Sequence, residues 1–265
     1  MRANLESESP LSNELTDNPS DRQPPAKPSR IISSVLTPAI RLWLRSQLEQ
    51  VEDLQLTITA SDRQIFSGEI QQVTASACRA VYQGLYFSQA SVIGTGIQTN
   101  LRQVLRGKAF RLLTAFPVQA DVQLSEADLN ASLQAPLLAN AVLELLVNLL
   151  KADIPAIQEL ATDSVTALRL EQAQITLAAN QLTLSAQVVT ATRSIPIAIQ
   201  TGLQVEQGNI LKFDRPHWLE NGSFQPLDAL NGFTIALGSD VDLQTLQIEP
   251  SQLVCQGTIM VTPAE

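Results

Sequence analysis

With a single histidine, two cysteines and aromatics at only 4%, this chain of 265 residues is poor in the side chains that most catalytic and metal sites use. Any Ser-His-Asp triad would have to use His217, and no GxSxG accompanies it. A zinc site normally draws on several His or Cys ligands, whereas His217, Cys78 and Cys255 lie far apart without a CxxC. There is no GxGxxG and no P-loop motif, so a phosphate cradle is unsupported, and the GTG at Gly94–Gly96 reads as a strand turn. Two distant cysteines in such a chain are expected to be reduced, buried thiols. No cofactor and no metal are implied, and the chain reads as a non-enzyme.

Positive charge is scarce as well. Seventeen Lys and Arg against twenty-six Asp and Glu give a net charge of −9. That argues against a nucleic-acid partner, which would demand basic patches, and against strong attraction of the whole protein to anionic lipid, while leaving room for a local basic patch. Also missing is a hydrophobic run of the roughly 20 residues needed to cross a bilayer. Met1–Arg30 is polar and proline-dotted, with no apolar h-region of a signal peptide. It reads as a disordered tail over 1–30, followed by a single domain over 31–265. The expectation is a cytoplasmic protein, at most peripheral to a membrane.

What the chain does have is an unusual helix. Of the sixteen residues Ala135–Leu150, seven are leucine and only Asn140, Glu144 and Asn148 are polar. Those three fall at i, i+4 and i+8, one narrow stripe on a helix. A surface helix needs only one apolar stripe, so this one is expected to be wrapped on nearly all sides. It is too short to span a bilayer, since a helical part of about 14 of these residues rises only about 21 Å.

Around it the period is 2. Leu54, Leu56 and Ile58 alternate with polar residues, and an extended run follows from Ile65 through Val73 to Ala77. Ala80–Leu101 reads as successive strands bent at glycines, and Leu101–Lys108 as a short helical turn or loop. Val118–Leu124 reads as a strand that runs into a helix capped by Ser125, with Glu126 and Asp128 in its first turn. Pro136 is placed to restart that helix. Beyond it come Leu168–Leu177, Leu182–Val188 and Ile195–Val205, with turns at Asn180 and Gln207–Asn209. A last pair of strands spans Phe233–Leu237 and Leu253–Val261, with Asp240 and Asp242 in a loop between them. Each strand has one apolar and one polar face, the pattern of an antiparallel sheet covered on one side. The class is α+β: a long, strongly curved antiparallel sheet wrapping a buried apolar helix.

An earlier helix, Ile31–Val51, carries Arg41, Trp43 and Arg45. One reading lays it on a membrane surface with Trp43 at the headgroups. The other packs it on the domain with its arginines in solvent.

Ser125–Leu138 (SEADLNASLQAPLL), Ala80–Gln89 (AVYQGLYFSQ) and Leu246–Val261 (LQIEPSQLVCQGTIMV) resemble the LmeA-like phospholipid-binding family of bacteria. The resemblance runs over about residues 31–265. It implies a fold akin to tubular lipid-binding proteins, with an apolar groove for acyl chains, and non-enzymatic phospholipid binding at a membrane. On that reading Leu138, Val142, Leu145, Leu146 and Leu149 are the candidate lipid contacts. Two rivals stand beside it: an interaction or scaffold protein with a closed core and no ligand, and a lipid hydrolase that depends on His217.

Overall fold

The computed structural model describes residues 32–151, 169–190, 193–220 and 222–263. Two six-stranded antiparallel sheets form the body, and one of them curls into a half-barrel. The first has the order β1-β2-β3-β4-β12-β11: Gln50–Thr59, Glu69–Tyr82, Leu85–Gln98, Phe116–Ser125, Gln252–Val261 and Val241–Glu249. The second has the order β10-β8-β7-β6-β5: Thr234–Ala236, Ile210–Glu220, Ser194–Glu206, Gln181–Val189 and Arg169–Ala178. The short β9, Ser223–Pro226, pairs with β8. Five helices accompany them among the described residues: α1 Thr37–Gln47, α2 Asp62–Ser67, α3 Leu101–Val104, α4 Glu126–Ala131 and α5 Pro136–Lys151. The α+β class, the antiparallel pairing and the mid-chain helix agree with the sequence reading.

Local chemistry explains where the elements depart from that reading. α1 ends at Gln47 rather than Val51, because Gln50 already pairs with Val81 in the first sheet. The run from Ile65 begins as the helix α2, and the strand starts only at Glu69. Ser61 and Gln64 explain the helix: Gln64 N–H donates to the Ser61 hydroxyl and Ser61 N–H to Gln64 Oε1, a reciprocal cap. The Gly94–Gly96 segment is no turn, since β3 continues through it, with Gly96 at φ +65°. A Cβ on Gly94 would sit 2.8 Å from the Phe116 ring, so the glycine makes room for that side chain. Asp242 lies in β11, not in a loop. A register shift between Leu243 and Thr245 breaks the alternation there, and this hid the strand from a period-2 reading.

The two sheets meet along β11 and α4. Gly208, in the β7–β8 turn, has φ +76° and accepts from Leu243 N–H, and any Cβ there would collide with Asp242. The β5–β6 turn is held likewise, by Asn180 N–H donating to the Ile248 carbonyl at 2.9 Å. The outer edge of β5 would leave backbone groups unpaired. α4 closes it. Asn130 Nδ2 donates to the Ile175 carbonyl at 2.8 Å, and Ile175 N–H donates to Asn130 Oδ1 at 2.7 Å. A side-chain amide thus stands in for a neighbouring strand. One turn earlier, Leu177 N–H donates to Glu126 Oε2 at 2.9 Å. α4 itself is fixed by the expected Ser125 cap, in a capping box closed by Asp128.

Two apolar clusters result. One gathers Leu145, Leu146 and Leu149 of α5 with Ile175, Leu184, Val188, Ile197, Ile199 and Trp218 of the second sheet, and with Leu124, Ile248 and Leu253 of the first. The other sits under α1 and joins Leu36 and Ile40 to Ile70, Ile97, Leu101, Leu112 and Phe116.

Two predictions follow from α4. Asn130→Ala removes two hydrogen bonds from an edge strand and is expected to cost about 2 kcal/mol, read as a lower denaturation midpoint. A normal midpoint would rule out the amide as an edge seal. Burial pushes the Asp128 carboxyl up, but hydrogen bonds from the Ser88 and Ser125 hydroxyls and from Ser125 N–H outweigh it and hold the group below its usual range. A depressed folded pKa stabilises above the unfolded value of about 3.9, and that stabilisation disappears as pH falls through the folded value. Wild type should therefore lose stability on acidification more steeply than Asp128→Asn, as measured by denaturation at stepped pH.

Candidate functional site

α5 turns two different faces outward and inward. Leu145, Leu146, Leu149 and Ala141 are buried, and Leu138 and Val142 are half-buried beside them. Leu143 and Val147, by contrast, are 60% and 49% exposed. The helix is therefore not wrapped on nearly all sides: among the described residues, one apolar flank stays open. All five sequence-predicted contacts lie on the protected side or its margin. The polar stripe has its own surroundings. Asn148 Nδ2 donates to the Glu144 carbonyl at 2.9 Å, and Glu144 and Asn148 border a cleft of about 260 Å³ shared with Asn231, Phe233 and Thr234.

Facing this helix, the second sheet supplies apolar residues at every second position, Leu184, Ala186 and Val188 on β6 and Ile195, Ile197 and Ile199 on β7. A larger cleft, about 440 Å³, opens on that sheet among Ala186, Ile197 and Trp218, with Gln172 and Gln187 at polar positions. Its lining combines apolar side chains with a few amide groups.

The first sheet adds a floor. On β4, alternation puts Phe116, Val118, Ala120, Val122 and Leu124 on one face. Phe116 and Val118 belong to the α1 cluster, Val122 and Leu124 to the α5 cluster. Between them the register sets Val92 and Gly257 beside Ala120, and Ala75 beside Val92. One apolar face thus runs between the clusters, shallow in the middle because its residues there are small.

The α1 candidates divide. Arg41 and Arg45 are exposed, whereas Trp43 is half-buried, its ring centroid 5.9 Å from that of Phe110. Leu42, not singled out by the sequence, is 72% exposed beside the two arginines.

The reactive side chains are occupied structurally. His217 lies in β8 rather than in a turn; its Nδ1–H donates to the Arg215 carbonyl at 2.7 Å, and its ring meets Phe224 edge-on. Glu126 and Asp128 act as edge clamp and helix cap. Both cysteines are free, as expected, but Cys78 is exposed rather than buried. It lies beside a bulge where Asp53 and Arg79 both adopt a φ of 47°, which disturbs the alternation of β2. Cys255 is partly buried, and burial, helped by the Asp121 charge, pushes its thiol up to about 11. Among the described residues no group of three or more His, Cys, Asp or Glu could hold a metal ion. No single helix is long and apolar enough to cross a membrane, and α4 with its following turn meets α5 at 80°.

Neither a curated protein nor a solved structure gives a match to the chain. A family model does: the LmeA-like phospholipid-binding model matches residues 28–258, nearly all of the body described above, and the chain belongs to that family.

Proposed function

We propose that the protein binds phospholipid by laying acyl chains along α5, between its half-buried margin and the apolar faces of the two sheets. The observation that carries this is the open flank of a helix that is apolar almost throughout: Leu143 and Val147 are exposed while Leu138 and Val142 stand half-buried at the edge of the core. An acyl chain covering such a margin contributes about 0.8 kcal/mol per buried methylene, so a few carbons suffice for measurable affinity. Leu145, Leu146 and Leu149 form the inner wall of this site. Family membership supports phospholipid as the ligand class. An opening along the side of a helix lets a lipid enter and leave without unfolding the core, which suits transfer as well as storage. Binding, rather than a reaction, is the activity proposed, because the one histidine is held by a carbonyl and by Phe224. Peripheral contact with a membrane on the side of α1, where Arg41 and Arg45 are exposed and Trp43 packs beneath them against Phe110, belongs to the same reading.

The test is purification of the full chain, solvent extraction and mass spectrometry. Phospholipid should co-purify in stoichiometric amount. Leu138→Asn with Val142→Asn is expected to lower the bound lipid at least about fourfold, the equivalent of one lost methylene contact. Leu149→Ala, deep in the cluster, should instead cost about 2–5 kcal/mol of stability. A protein that emerges without lipid and extracts none from vesicles has a closed core and no such site.

A further inference from the structure

We propose that the end of the first sheet formed by α1, α2 and the β3–β4 connection is a docking surface for an anionic phospholipid bilayer, separate from the acyl-chain site and resting on the peripheral contact proposed above for α1.

Charge is the first observation. The chain carries −9 overall, yet residues 99–115 contain Arg102, Arg106, Lys108 and Arg111 and no acidic residue. α1 adds Arg41 and Arg45, again without an acidic residue, and α2 adds Arg63. Seven of the seventeen Lys and Arg thus fall on three short segments, against Asp62 and Glu69 as the acids among residues 61–69. All seven are exposed, and among the described residues none makes an ion pair.

Apolar side chains are the second. Leu42 is 72% exposed, Leu113 58%, Phe66 53% and Leu105 41%. These are large, unshielded residues in the very segments that hold the cations. A surface that joins aliphatic and aromatic tips to unpaired Arg and Lys matches the boundary between headgroups and acyl chains. A nucleic acid offers no apolar layer for aliphatic tips such as Leu42, Leu105 and Leu113 to enter, so the mixed surface fits a bilayer better.

Geometry is the third, because the segments share one platform. Leu36 and Ile40 of α1 pack in the cluster that contains Leu101 and Leu112 of the connection, and the Trp43 ring meets that of Phe110 at a tilt. Arg102 Nε donates to the Phe66 carbonyl at 2.7 Å and so ties α2 to α3. Asn100 staples the base of the connection: its Nδ2 donates to the Ala109 carbonyl at 2.9 Å, and Arg111 N–H donates to its Oδ1 at 2.8 Å. The chain between, with Gly107 at φ +82°, projects Leu105, Arg106 and Lys108 outward from a fixed stem. Trp43 serves as support here, and the contact falls to Leu42, Phe66, Leu105 and Leu113.

The experiment is vesicle flotation of the full chain. It should bind vesicles of phosphatidylcholine with about one-third phosphatidylserine and not phosphatidylcholine alone, and binding should fall away near 0.5 M salt, where screening shortens to a few ångströms. Arg106→Glu with Lys108→Glu is expected to weaken vesicle partitioning at least about twentyfold, from roughly fivefold per lost cation. Leu105→Ser with Leu113→Ser should weaken it at unchanged charge. Both pairs are solvent-exposed, so their denaturation midpoints should match wild type; they should also keep any co-purifying lipid, whereas Leu138→Asn with Val142→Asn should keep vesicle binding. Equal binding to neutral vesicles, binding untouched by both variants, or tighter binding to a single-stranded oligonucleotide than to anionic vesicles would each overturn the docking surface.

Discussion

Backbone satisfaction at one strand edge holds the architecture together. β5 ends the second sheet, and among the described residues its outward N–H and C=O groups have no strand beside them. Asn130 and Glu126, one helical turn apart, supply the missing partners, while the same short helix is capped from the first sheet by Ser125 and Asp128. Four side chains in six residues therefore fix the relative position of both sheets. α5 follows directly from that clamp, so the site it builds inherits its placement from hydrogen bonds made before the helix begins. Ser132, wholly buried, strengthens the same junction by accepting from Tyr86 N–H and donating to the Asp128 carbonyl.

Much of this was legible in the sequence, and the failures have physical causes. The cap at Ser125, the restart at Pro136 and the turns at Asn180 and Gln207–Asn209 are local effects, encoded within a few residues. Alternation identified most strands because each has one covered face. Where a bulge shifts the phase, as between Leu243 and Thr245, the pattern vanished and β11 with it. The division of the strands into two sheets is a property of distant pairing, such as β4 with β12, and no local signal carries it. The clamp was half visible: Glu126 and Asp128 were read as helix charge, but the roles of Glu126 and Asn130 depend on a strand some 45 residues away.

The candidate site divides along similar lines. Leucine content marked α5; of the residues chosen there, Leu145, Leu146 and Leu149 are buried and Leu138 and Val142 half-buried. Its open flank was not legible, because burial depends on what the fold leaves uncovered rather than on hydropathy. Likewise, the overall charge concealed the cationic end. A net −9 describes the chain, whereas a membrane meets only the few residues on the surface turned toward it.

The bend before α5 has a mechanical consequence. Pro136 has no N–H to continue the preceding turn, and the two helical pieces meet at 80°. α4 is bolted to both sheets by directional hydrogen bonds, but α5 is held beyond the bend chiefly by non-directional apolar contact. Such contact resists removal, not sliding. On the lipid-binding reading proposed above, an acyl chain replacing leucine surface area for area would leave the total burial almost unchanged, so the arm beyond a rigid pivot would find nearly equal footing on protein or on lipid.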